Sequence, residues 1–179
     1  MAFFLILLLL SAGEISCERT VTVSIPPHIT KRGAYAFQRG VAALRAGSYR
    51  YALAWFQEVH RYSFSPAQTA TGEGLALAGM EKLQGAKAAF TRAIALDPRR
   101  PEPYIRRGLI FHHWKKYPRA LADFNRGLRL RPGHPLGLMG RSFTLYSMGR
   151  YGEALVDALA AQRAGMTLPH GYVGSLKAN

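Results

Sequence analysis

Four alanines, Ala52, Ala86, Ala120 and Ala154, recur at one constant interval, and five further rows keep the same step. Twelve residues before the alanines come Gly40, Gly74, Gly108 and Ser142, and three before them Tyr49, Leu83, Tyr117 and Tyr151. Four after them come Phe56, Phe90, Phe124 and Ala158. Val59, Ala93, Gly127 and Ala161 form a small or apolar row, and Phe64, Pro98, Pro132 and Met166 close each copy. Self-similarity at a fixed period of this size means a helical array, in which each unit buries its apolar face on its neighbour. Each unit reads as two helices. In the third, Glu102 to Trp114 runs to a break at Lys115-Lys116, and a second helix holds Pro118 in its first turn, where the missing N–H costs nothing. That helix ends near Arg131, before Pro132-Gly133. Gly108 and Ala120 let the two backbones approach, while Tyr117 and Phe124 fill the space beside them.

These residues resemble the tetratricopeptide-repeat (TPR) family over residues 33–166, and the third unit matches best, with Tyr104, Gly108, Tyr117, Ala120, Phe124 and Pro132. The resemblance implies an all-α fold: a right-handed TPR solenoid of four helix–turn–helix units with an extended N-terminal leader. The expected plan is a signal-like apolar leader (1–16), an extended segment (17–32), the four-unit array (33–166) and a C-terminal tail (167–179). The first unit lacks its closing proline and runs into Ser65-Pro66, and the fourth has Ser142 and Ala158 for glycine and phenylalanine, as end repeats often do. The pentatricopeptide family, which reads RNA, looks similar, but its usual period is longer, and this chain keeps the shorter step with the TPR residues in place.

In the TPR family the first helix of each pair lines a concave groove that holds partner peptides or helices. Carried onto this sequence, the groove receives Phe37, Val41 and Leu44, then Leu75 and Ala78, then Arg106, Leu109, His112 and His113, and finally Met139, Phe143 and Tyr146. That is an apolar, partly aromatic trough with a basic step, suited to an amphipathic helix or an extended apolar segment. A chaperone-type carboxylate clamp is not expected. Phe37 and Val41 stand at its positions in the first unit, and only Arg106 in the third fits.

The chain holds 24 Lys and Arg against 10 Asp and Glu, a formal +14. Twelve of the basic residues lie between Arg99 and Arg150, opposed only by Glu102 and Asp123. The candidate basic face is Arg99, Arg100, Arg107, Lys115, Lys116, Arg119, Arg126, Arg129 and Arg131, with Arg106, Arg141 and Arg150 completing the segment. So much like charge calls for an acidic protein segment, lipid headgroups or nucleic acid. The signal-like leader and the lack of aromatic–basic interleaving argue against nucleic acid. Arg107 and Arg141 share a register with Arg39, which marks them as structural repeat positions.

Ala2 to Leu10 (AFFLILLLL) is an unbroken apolar run, followed by Ser11-Ala12-Gly13. It is shorter than the about 20 residues that span a bilayer as a helix. It suits the apolar region of a secretory signal or an uncleaved anchor, although no Lys or Arg precedes it. The expected location is therefore exported or membrane-associated, periplasmic in a bacterium. Cys17 follows the run as a lipoprotein cysteine would, but the acidic Glu14 departs from that motif, and an ordinary lone cysteine is the preferred reading. Thr20 to Ile25 alternates as a strand does and is stopped by Pro26-Pro27; it reads as a flexible leader or an addition to the edge of a partner's sheet. At the other end, a helix from Tyr151 to about Ala164 shows Leu155, Val156 and Leu159, and the Gly/Pro-containing tail is a poor helix. An uncapped apolar face of that kind predicts self-association or docking.

Chemistry finds no foothold. One cysteine excludes an intrachain disulfide and a multi-thiolate zinc site. His112 and His113, as helix neighbours, point about 100° apart. The stretch Gly79 to Lys87 misses the phosphate-loop spacing, no G-x-S-x-G occurs, and no carboxylate pair is marked for acid–base work. No cofactor or metal is expected. The sequence reads as a non-catalytic adaptor or scaffold, with a basic binder of nucleic acid or anionic membrane as the alternative.

Overall fold

The computed structural model describes residues 31–62 and 64–178. The apolar leader, the Thr20–Ile25 alternation and Cys17 lie outside them. All regular structure among the described residues is helical, in two compact units that divide between Pro98 and Arg99. The first unit contains α1 (Lys31–Arg45), α2 (Tyr49–Val59) with a 3-10 turn at His60–Tyr62, α3 (Pro66–Gly79) and α4 (Leu83–Leu96). The second contains α5 (Pro101–His113), α6 (Tyr117–Leu130), α7 (Pro135–Ser147), α8 (Tyr151–Arg163) and the short α9 (Tyr172–Lys177). Helix α1 begins two residues inside the segment expected to be extended. Pro66, Pro101, Pro118 and Pro135 all sit in first turns, where proline fits.

Within each pair the first helix ends the same way. Gly47, Glu81, Lys115 and Gly149, spaced like the alanine row, take a left-handed backbone with φ of 69°, 60°, 58° and 75°. The following N–H then reaches back to the carbonyl five residues earlier: Ser48 to Ala43, Lys82 to Leu77, Lys116 to Phe111 and Arg150 to Leu145, each at 2.8–2.9 Å. This closure satisfies orphan carbonyls and turns the chain into the second helix. Glycine takes that backbone freely, whereas Glu81 and Lys115 hold it against their own Cβ.

The core is built on phenylalanines pressed against glycines. Phe56, Phe90 and Phe124 are wholly buried. A Cβ on Gly40 would come within 2.9 Å of the Phe56 ring, and one on Gly72 within 2.4 Å. Phe124 is held the same way between Gly108 and Gly140, at 3.0 and 2.6 Å. Each of these two rings thus locks its own pair and the next pair of its unit together, and truncating one to alanine costs about 3–5 kcal/mol.

The tail overturns the expectation of an uncapped end. It forms α9, which buries Tyr172 and Leu176. Gly171, at φ 77°, makes the turn into it. The Tyr172 ring packs edge-on against Phe143 at 4.8 Å and Tyr146 at 5.7 Å. Ser142 Oγ donates to Ala154 O at 2.7 Å, so the Tyr172 hydroxyl, 2.9 Å away, donates to Ser142. An aromatic residue meets the small residue of every repeat, but in the fourth it comes from the tail, because Ala158 has replaced the phenylalanine. Val156 and Leu159 stay exposed on α8. No helix among the described residues is long and apolar enough to cross a membrane.

Candidate binding surfaces

Most of the side chains expected to line a groove belong to the core. Leu44, Leu75, Leu109, Met139 and Phe143 are buried. Leu109 lies against α7, where a Cβ on Gly140 would meet its Cδ2 at 3.2 Å, and Phe143 is covered by Tyr172. Arg106 is 4% exposed, which withdraws the one residue that fitted a carboxylate clamp. Phe37, Val41, His113 and Tyr146 keep part of their surface, although Phe37 packs on Phe56 and Phe64 at 5.7 and 5.3 Å, and Tyr146 on Tyr151 at 5.4 Å. The physical reason is that an apolar residue on a helix flanked by its partner and by the next pair has little solvent left to face.

His112 is buried too. Its Nδ1 lies 2.9 Å from Thr144 Oγ1, and that hydroxyl donates to Gly140 O at 2.8 Å. The imidazole therefore donates from Nδ1. Burial, and next the neighbouring His113, hold its pKa down at about 4. It links α5 to α7 and is not presented to a ligand. Among the described residues no three of His, Cys, Asp and Glu gather as a metal would need.

The basic residues divide into two groups. Arg107 donates from Nε and Nη2 to the two oxygens of Asp123, both at 2.8 Å. Arg141 makes the same fork on Asp157, at 2.6 and 2.8 Å, and also donates to Asn125 at 2.9 Å. Both carboxylates are buried, and these bonds raise the pKa of both guanidiniums further. Arg150 forks onto Glu153 at 2.7 Å and lowers that carboxyl's pKa. Arg107 therefore leaves the candidate basic face. The repeat register had marked Arg107 and Arg141, but their aspartate partners on the facing helices escaped notice; Arg-x15-Asp in successive copies was the signal that could have found them.

What remains outward is concentrated on α6. Arg119, Ala122, Arg126 and Arg129 are all exposed and fall on one helical face, with Lys115 and Lys116 exposed at the turn before it. Arg126 lies over the Tyr104 ring at 6.0 Å and Lys116 over Trp114 at 5.4 Å. Arg99 is exposed, and Arg100 and Arg131 are half-buried. Beside α6, an open cleft of about 290 Å³ runs between α6, α7 and α8, floored by Arg141 and Asp157 and edged by Leu121, Arg150 and Val156.

Comparison with known proteins agrees with this architecture. Residues 71–135 match the tetratricopeptide repeat family model. No curated protein sequence matches the chain significantly. Among solved structures, the TPR domain of Arabidopsis OM64 is similar, with 21% identity and a TM-score of 0.59 over 63% of this chain and 93% of that one. The second TPR domain of human RPAP3, in complex with the HSP70 peptide SGPTIEEVD, has 23% identity and a TM-score of 0.58 over 63% and 94%. MamA from Desulfovibrio magneticus RS-1 has 15% identity and a TM-score of 0.63 over 75% and 77%. The constant repeat register, the phenylalanine–glycine contacts, the repeat match and these neighbours lead to one conclusion: residues 71–135 carry tetratricopeptide-repeat sequence, and the described helices have the fold of TPR domains.

Proposed function

We propose that the chain is a non-catalytic adaptor that holds an acidic segment of a partner polypeptide on its second unit, along the α6 face of Arg119, Arg126 and Arg129 with Lys115 and Lys116. The observation that carries this reading is the sorting of charge. Arg107, Arg141 and Arg150 are neutralised by carboxylates, while the α6 residues point outward together. TPR domains of this fold that hold acidic peptides, such as the RPAP3 domain above, support the partner class. The burial of the apolar trough shifts recognition from the groove to this charged face, where opposite charge sets on-rate and orientation. The signal-like run Ala2–Leu10 favours an exported or membrane-associated adaptor.

The test is fluorescence anisotropy with a labelled acidic peptide and a neutral apolar peptide, at low and high salt. The acidic peptide should bind more tightly and weaken with salt, and Arg126→Glu with Arg129→Glu should lower its affinity at least about tenfold. Equal binding of both peptides, or a double variant that binds as the parent does, would sink the proposal. Phe143→Glu is unsuitable as a groove probe, since it breaks the core under Tyr172.

A further inference from the structure

The first helix pair carries a second exposed surface of different make-up. Tyr35 is 56% exposed and Tyr51 is 72% exposed, the two most open aromatic side chains among the described residues. They belong to one patch. Tyr35 meets Trp55 edge-on at 6.1 Å, Arg39 lies over the same indole at 5.7 Å, and Tyr51 precedes Trp55 by one helical turn. Arg32, Tyr35 and Arg39 follow one another down α1 at three- and four-residue spacing, so they share a face. Residues 31–59 hold five cations, Lys31, Arg32, Arg39, Arg45 and Arg50, against the single carboxylate of Glu58. Neither Arg32 nor Arg39 has a carboxylate partner among the described residues. Tyr and Trp with a wet tip and an apolar body, flanked by guanidiniums, are the residues that settle at the headgroup level of a bilayer.

We infer that Arg32, Tyr35, Arg39, Tyr51 and Trp55 form a docking surface for an anionic lipid bilayer. Charge complementarity supplies the attraction and the aromatic tips supply the seating. Position in the chain agrees. The apolar run Ala2–Leu10 is separated from Lys31 by the twenty residues Ser11 to Thr30, whose full extension is about 70 Å. A leader engaged with a membrane would keep this face within reach of the same surface. The inference rests on the membrane-associated part of the functional reading and is separable from the acidic-segment part.

The experiment uses the full chain with Trp114→Phe, which leaves Trp55 as its single tryptophan, and the first thirty residues contain neither Trp nor Tyr. Trp55 emission then reports this patch and not the leader. With vesicles of phosphatidylcholine and phosphatidylglycerol, Trp55 should shift to the blue and be quenched by brominated acyl chains. Arg32→Glu with Arg39→Glu should weaken partition onto these vesicles at least about 25-fold, taking roughly fivefold for each cation lost. Partition onto neutral phosphatidylcholine should stay unchanged. Tyr51→Ser, at a position too exposed to affect folding, should weaken it several-fold, and Arg126→Glu with Arg129→Glu should do less than the α1 pair. Vesicle binding without quenching of Trp55, or an α1 double variant within twofold of the parent, would overturn the docking surface while leaving membrane association intact. No binding to any vesicle would overturn both. Quenching of Trp55 by a uridine oligomer and not by vesicles would assign the patch to nucleic acid and reject the lipid.

Discussion

The two units solve one register position in opposite ways. Residues 39, 73, 107 and 141 occupy the same place in successive first helices. In the second unit that place is an arginine forked onto a buried aspartate of the facing helix, Arg107 to Asp123 and Arg141 to Asp157. In the first unit Arg39 faces Trp55 where those repeats have aspartate. Glu73 reverses the sign: its carboxylate is buried and takes His60 Nε2 at 2.7 Å together with Arg92. The repeat thus conserves a cross-helix contact while its charge, polarity and partner vary. A charge at this position takes an opposite charge or a π face within reach, and the facing helix can supply it from more than one position.

The sharpest way to break this comparison is Glu73→Arg, which gives the second repeat the residue of the other three. Arginine there would face Arg92 and His60 without a carboxylate, and the loss should be about 3 kcal/mol by denaturant unfolding. A near-neutral result would mean that the site is open enough for water to solvate either sign. Next in size is a pH effect at His112, in the second unit. His112 is neutral when folded, with a pKa of about 4, against about 6.5 unfolded. The unfolded chain therefore binds more protons between these values. Stability should be full above pH 6.5 and fall by up to about 3 kcal/mol as pH drops towards 4. His112→Gln should flatten most of the slope. The smallest effect concerns the turns. Glu81→Gly and Lys115→Gly should each raise stability by about 1 kcal/mol by relieving a left-handed backbone that Gly47 and Gly149 already accept. If either destabilises, its side chain contributes more than the backbone strain costs.

Much of the fold could be read from the sequence because it rests on spacing. Gly40, Gly74 and Gly108 were recognisable as close-approach positions, and the structure sets each against the phenylalanine that shares its copy. Gly72 and Gly140, which clasp Phe56 and Phe124 from the next pair, follow the same repeat step but have Gln38 and Arg106 as counterparts, so the row was hidden by its own variation. The left-handed row was hidden in the same way, since two glycines, a glutamate and a lysine share no chemistry. The binding surface was the least legible part. Leu109 and Met139 have the composition of a groove and the environment of a core, and composition cannot separate the two. Arg107 and Arg126 look alike in sequence, yet one is forked onto Asp123 and the other lies on the surface.

The sequence by itself determined the period, the all-helical pairing, the helix stops and the basic excess, because these depend on residues near one another in the chain or on simple sums. Only the tertiary structure decided which arginines have their charge compensated by a carboxylate, which apolar side chains still see water, and that the tail caps the fourth pair. Those outcomes depend on distances between helices, where a partner on another helix, such as Asp123 for Arg107 or Tyr172 for Ser142, either reaches a side chain or leaves it to solvent.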